Sequence, residues 1–261
     1  MISFNPKRVP QMFATNIEGT ANVVNAALHV DVEKLLHVSS IAALGRREYQ
    51  PHIDERLQWE NSKENSNYAI SKFRAENEVW RAQQEGLATA IINPSTIIGA
   101  GIWSSSSCQL IERVAQGLRY HPSGGSGFVD VRDVAQAAIA VMESDAVGAR
   151  YLVSAENRSY KNLFATLSKA LGVKPPQRAM PDWLLGLAAG AERLRCAITR
   201  QEPLVTREVI RNIQSTYYYH NDKIANDLAF QFRPLDQSLR DTAKVYLESQ
   251  QKGHNYGQLD L

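Results

Sequence analysis

The chain has 261 residues and a formal charge of +2, with 44% hydrophobic and 21% charged residues, the composition of an ordinary globular protein. So small a charge, carried by scattered basic residues, gives no nucleic-acid footprint, and the most apolar run, residues 183–191, falls far short of the ~20 residues that span a bilayer. Cys108 and Cys196 stand far apart without metal-ligand spacing, and Met1–Pro6 lacks the charged start and apolar core of a secretion signal, so a cytoplasmic protein with reduced thiols is expected.

Residues 8–29 predict a helix, because Val9, Met12, Phe13, Ile17, Val23, Val24, Ala27 and Leu28 recur at helical intervals; Asn16 lies inside it. Residues 34–39 read as a buried strand ending in Ser39-Ser40. Residues 41–65 form a polar loop with His52, Asp54, Glu55 and Trp59, covering one side of a site, and His52 itself reads as solvated. A helix then runs from Tyr68 to about Gly86, and the i, i+4 spacing puts Tyr68 and Lys72 on one face. A phenol titrates near pH ~10. A neighbouring cation lowers that value and makes Tyr usable as a general acid or base.

Residues 88–92 predict an apolar strand that ends in a Pro-Gly loop, Asn93 to Gly99. Beyond it come a polar run at Ser104–Ser107 and a short helix at 108–119. Ser123 to Gly127 reads as a turn, since no Gly-x-Gly-x-x-Gly spacing leads there into a helix. Phe128–Val131 is a strand, Asp133–Met142 an amphipathic helix with Asp130 and Asp133 as structural capping acids, and Tyr151–Val153 a further strand. Helices are expected at 159–172, 181–198 and 206–215, with a fraying tail from Lys252 to Leu261. The second of these helices carries Trp183, Leu184, Leu187 and Leu194 at helical spacing, which suggests a largely apolar substrate.

The order of strand, Ser-bearing loop, helix with Tyr and Lys, strand and Pro-Gly loop resembles the extended short-chain dehydrogenase/reductase family. Within it the chain is most similar to the dihydroflavonol-reductase-like and 3β-hydroxysteroid-dehydrogenase-like branch, broadly the NAD-dependent epimerase/dehydratases. The matching pieces are Asn16 to Thr20, Val38-Ser39-Ser40, Tyr68 to Lys72, Asn93 to Gly99 and Phe128 to Ala135, in the family's order. The resemblance implies an α/β fold with NAD or NADP as cofactor and hydride transfer to or from a carbonyl or secondary alcohol. It makes Tyr68 the proton donor or acceptor. Lys72 would bind the nicotinamide ribose and hold the Tyr pKa down, and Ser40 would hydrogen-bond the substrate oxygen. Asn16 would lie near the cofactor ribose, with Pro94 and Ile97 packed near the nicotinamide. Sugar-nucleotide dehydratases similar to this family carry Asp-Glu after the catalytic Thr; Ile41 and Ala42 stand there and cannot exchange protons. A reductase/dehydrogenase is therefore expected, with an epimerase or a non-catalytic binding protein as alternatives.

Family members open with a strand, a Gly-rich turn and a helix that takes the pyrophosphate. Met1 lines up after those elements, so about 70 residues, two βαβ units, look absent. The expected architecture is the C-terminal half of a Rossmann-like doubly wound parallel sheet in 1–100. A smaller, mostly helical substrate lobe follows in 101–261, with 127–153 returning to the core. Strand 34–39 should show an apolar edge, and the chain as written should hold a dinucleotide poorly. Expected partners are a small-molecule substrate and, as an open state, a second copy in a homodimer; no nucleic acid and no membrane span are expected.

Overall fold

The computed structural model describes residues 1–3, 5–47, 49–181 and 207–258. A helical run opens the chain: a 3-10 turn Pro6–Arg8, α1 Val9–Phe13, a π-turn Ala14–Glu18 and α2 Gly19–His29. Asn5 caps its start by accepting a hydrogen bond from Lys7 N at 3.0 Å. The expected helix over 8–29 is there, except that its middle turn carries one surplus residue, and buried Asn16 sits in that turn.

Strand β1 Lys34–Val38 follows, then a 3-10 turn Ile41–Leu44 and the two-residue strand β2 His52–Ile53. Helix α3 spans Asn67–Gln84, started by Ser66, whose hydroxyl accepts from Ala69 N at 2.9 Å. Strand β3 Ala88–Pro94 pairs parallel with β1 on one side and with β7 Ala149–Val153 on the other. Both faces of this sheet are covered, which is why β3 reads as one apolar run: Ala90, Ile91 and Ile92 are fully buried. Ile91 packs with Val24, Ala27, Val79 and Ala82 of α2 and α3. On the other face Ala90 and Ile92 pack with Ala137 and Val141 of α5 Val131–Glu143. Lys34 fastens β1 to α5, its ammonium donating to the Val141 and Ser144 carbonyls at 2.6 Å each. The outer edge of β1 has no strand partner among the described residues, and Val38 is 50% exposed.

Two expectations change here. Pro94 and Ile97 are not loop residues: Pro94 closes β3, a strand end where a missing N–H is harmless, and Ile97 lies in β4 Thr96–Ile98. The Gly-rich stretch at 123–127 is not a turn but enters strand β6 Gly125–Asp130, parallel to β4 and antiparallel to β8 Glu156–Ser159. Its glycines permit close approach: a Cβ on Gly124 would lie 2.2 Å from the Ser215 carbonyl, and one on Gly125 3.0 Å from that of Arg158.

A further core gathers under the second sheet, from α4 Cys108–Ala115, α6 Tyr160–Leu171, Trp103, Phe128 and a C-terminal helix Leu235–Gln251. That C-terminal helix was not expected from the sequence. Asp130 caps α5 as expected, accepting from Arg132 N at 2.8 Å, whereas buried Asp133, expected as a second cap, instead holds Arg233, accepting from its N–H at 2.8 Å and pairing with its guanidinium. Two short parallel pairings complete the strands, β5 Tyr120–His121 with β9 Arg178–Ala179 and β2 with β10 Tyr218–Tyr219. The helix expected at 206–215 is present over Arg207–Gln214, whereas 181–198, with Trp183, Leu184, Leu187 and Leu194, lies outside the described residues apart from Pro181. The tail does not fray as far as Gly257, whose N–H donates to the Gly101 carbonyl at 3.0 Å. Among the described residues no helix is long and apolar enough to cross a membrane.

Candidate active site

The carboxyl ends of β1 and β3, strand β4 and the first turn of α3 converge on a cavity of about 640 Å³. In open α/β sheets this is the end at which ligands bind. Of the residues predicted for the site, Ser40, Tyr68, Pro94 and Ile97 line it.

Tyr68 lies in the first turn of α3, aimed by the Ser66 cap at the end of β1. Burial pushes its phenol above the ordinary value, and a hydrogen bond with the Ser40 side chain pulls it part of the way back. The structure therefore brings Ser40 and Tyr68 together. Ser40 starts the 3-10 turn, its hydroxyl accepting from Ala42 N at 3.2 Å. Its carbonyl accepts from Asn93 Nδ2 at 2.8 Å.

Lys72 follows one turn later on α3. Its ammonium donates to the Val38 carbonyl at 3.1 Å and does not line the cavity. Burial lowers its pKa, with buried Glu76 one turn on opposing the shift. Its long stem carries the charge across to the end of β1. Asn16 also stands behind the cavity wall. Its Nδ2 donates to Ser71 Oγ at 2.9 Å, and the Ser71 hydroxyl donates to the Tyr68 carbonyl at 2.8 Å. The asparagine thus braces the turn of α3 that bears Tyr68, and also bonds the Met1 carbonyl at 2.8 Å.

Five residues of this region were given no role by the sequence reading. Asn93 and Glu76 form a buried link, Asn93 Nδ2 donating to Glu76 Oε1 at 2.6 Å, with Arg150 NH1 3.3 Å from Glu76 Oε2. The spacing of Glu76, one turn beyond Lys72, was the available signal. Arg46 and Arg113 line the cavity, and nothing in the polar loop or in α4 marked them beforehand.

A parallel sheet covered on both faces, with a Tyr-bearing helix over the carboxyl ends of its strands, defines a Rossmann-type α/β protein. The chain belongs to the NAD dependent epimerase/dehydratase family, whose profile matches residues 4–154. It is 29% identical over 238 residues to a putative dihydroflavonol 4-reductase of Synechocystis sp., covering 88% of this chain and 69% of that protein. It is 26% identical over 255 residues to cinnamoyl-CoA reductase 1 of Petunia hybrida, covering 94% of this chain and 67% of that one. The chain thus spans about two thirds of the length of these relatives. Among solved structures, gox2253 superposes with a TM-score of 0.76 at 31% identity, covering 94% of this chain and 74% of that one.

The family's nicotinamide cofactor fits this cavity at its nicotinamide end. Ser39 Oγ and Ser95 Oγ are buried without a partner, and both residues lie on the wall beside Pro94 and Ile97. A carboxamide is the kind of polar group that such orphaned hydroxyls need.

Proposed function

We propose that the protein is an NAD(P)-dependent reductase/dehydrogenase acting on a small carbonyl compound or secondary alcohol, with Ser40 and Tyr68 as its catalytic pair. The observation that carries this reading is the hydrogen bond between Ser40 and Tyr68 on the wall of the cavity at the carboxyl ends of the strands. A bound nicotinamide would supply or accept the hydride. Tyr68, its phenol held above the ordinary value, is protonated at neutral pH and gives its proton to the substrate oxygen in the reducing direction. Ser40 orients that oxygen and shares its developing charge. By the family resemblance Lys72, now at the Val38 carbonyl beside the cavity, would hold the ribose side of the cofactor, Asn16 braces the Tyr68 turn through Ser71, and Pro94 and Ile97 would give the nicotinamide an apolar seat. Ile41 and Ala42 beside Ser40 offer no proton carrier, which favours simple hydride transfer over dehydration.

The same reading draws the substrate mainly from the lobe of residues 101–261, with an apolar body. It places the protein in the cytoplasm, in keeping with the free thiol of Cys108. Tyr68→Phe tests the catalytic assignment. In a version preceded by the family's Gly-rich βαβ units, turnover of a ketone panel, followed by nicotinamide absorbance, should fall about 10²-fold or more while the melting temperature and cofactor affinity hold. Near-wild-type turnover would sink it.

A further inference from the structure

Arg46 is a cation without a counter-charge. It follows the 3-10 turn that begins at Ser40, and among the described residues its guanidinium is held by neutral groups. NH1 donates to Asn212 Oδ1, NH2 to the Tyr219 hydroxyl at 3.4 Å, and the group lies 4.7 Å over the Tyr217 ring. No carboxylate bridges it among the described residues. A guanidinium carries five N–H donors, and withdrawing one from water is costly unless it is paired. Two of Arg46's guanidinium nitrogens donate to side chains among the described residues, and the group lines the cavity that Tyr68 and Ser40 share.

Arg113 adds a second cation to the lining of the same cavity from α4, exposed and without an ion-pair partner among the described residues. Among the described residues one acid lines the cavity, Glu64, and it already faces Arg211 at 3.6 Å. Gln109 contributes a neutral side chain that can donate. Two cations against one engaged acid, in a cavity that also holds a general acid, describe a seat for a negatively charged group.

We infer that the substrate carries an oxyanion, a carboxylate or a phosphate-type group, received by Arg46 with Arg113 assisting. The inference rests on the reductase reading for what the ligand is, but not for whether the anion binds. Arg presents a planar fork that suits either oxyanion. The apolar residues Ile41, Ala69, Pro94 and Ile97 on the same wall are left to hold the body of the molecule.

The test measures binding alone, so that it stands or falls apart from catalysis. Titration calorimetry compares 4-phenylbutyrate, its neutral amide and phenylphosphonate on the wild-type protein, Arg46→Gln, Arg46→Lys and Arg113→Gln. The acid should bind about tenfold or more tightly than the amide, as expected for a charge-assisted hydrogen bond. That preference should shrink in about 0.5 M salt, vanish in Arg46→Gln and survive in part in Arg46→Lys. Tighter binding of phenylphosphonate than of phenylbutyrate would assign a tetrahedral oxyanion, and the reverse a carboxylate. Equal affinity for acid and amide, or no heat from any probe at millimolar concentration, would overturn the inference. So would a full acid preference in an intact Arg46→Gln. Should that variant not fold, Arg113→Gln and the salt dependence decide. A protein that prefers the acid yet turns over no carbonyl would keep the anion seat and lose the reductase reading.

Discussion

Glu76→Gln probes the buried link behind the catalytic pair. Glu76 is 1% exposed; it accepts from Asn93 Nδ2 at 2.6 Å and faces Arg150 NH1 at 3.3 Å. Glutamine keeps the shape and can still offer an oxygen to Asn93, so the main loss is the negative charge. Arg150 retains the Glu55 carbonyl at 2.7 Å but is left half-buried without a counter-charge. Removing one partner of a buried pair, together with a charge-assisted hydrogen bond, costs about 3 kcal/mol. At ~2–4 °C per kcal/mol for a chain of this size, the melting temperature should fall by about 6–12 °C. A second effect reaches Lys72: burial already lowers its pKa and Glu76 opposes that, so the variant's Lys72 should deprotonate more readily. Circular-dichroism melts of wild type and variant at pH 7 read the first effect. A drop of under ~2 °C would show that the pair is not coupled to stability.

Two further variants address the frame. His37 Nε2 is buried without a partner, and burial, aided by the charge of Lys72, holds the imidazole pKa down to about 4 from its ordinary 6.5. The ring folds neutral, so its contribution is complete above pH 6.5 and is lost as pH falls toward 4, amounting to at most about 3 kcal/mol. Urea melts at pH 7.5 and 4.5 should show wild type losing more stability on acidification than His37→Leu; parallel losses would refute the assignment. Gly124→Ala would set a Cβ 2.2 Å from the Ser215 carbonyl and 2.7 Å from that of Ile213, so the backbone must shift, at about 1–3 kcal/mol or more. A thermal melt within ~1 °C of wild type would mean that the two segments yield freely.

The parts of the fold that could be read from the sequence were those whose burial is apolar. Strands β1 and β3 are continuous apolar runs because helices cover both faces, and the 3.6 period of α3 and α5 points one stripe at that sheet. Helix Leu235–Gln251 escaped because half of its buried stripe is polar: Ser238, Thr242 and Ser249 alternate with Leu239, Ala243 and Tyr246. Two of those hydroxyls bond back along the helix, Thr242 to the Ser238 carbonyl at 2.8 Å and Ser249 to that of Tyr246 at 2.7 Å. The glycines at 124–127 misled for another reason, since glycine marks both a turn and a close approach, and only the partner strand distinguishes the two. At the site, Ser40 and Tyr68 were legible as chemistry next to a strand end. Arg46 was not, because its position over Tyr217 comes from residues more than 160 positions away.

The π-turn at Ala14–Glu18 makes the length of that stretch matter more than its composition. An α-helix advances about 100° per residue, so a single surplus residue resets the phase between the helical segments on its two sides. Met12 before the turn and Val24 and Ala27 after it are all buried, with α1, the π-turn and α2 each packed on α3. Asn16 meanwhile points at Ser71 from within the turn. A regular helix could keep either flank in phase or the asparagine inward, but not both. Substitutions at Ala14 or Thr15 should therefore drift freely between related chains, whereas a one-residue gap there would swing Asn16 off its serine and strand a buried stripe in water.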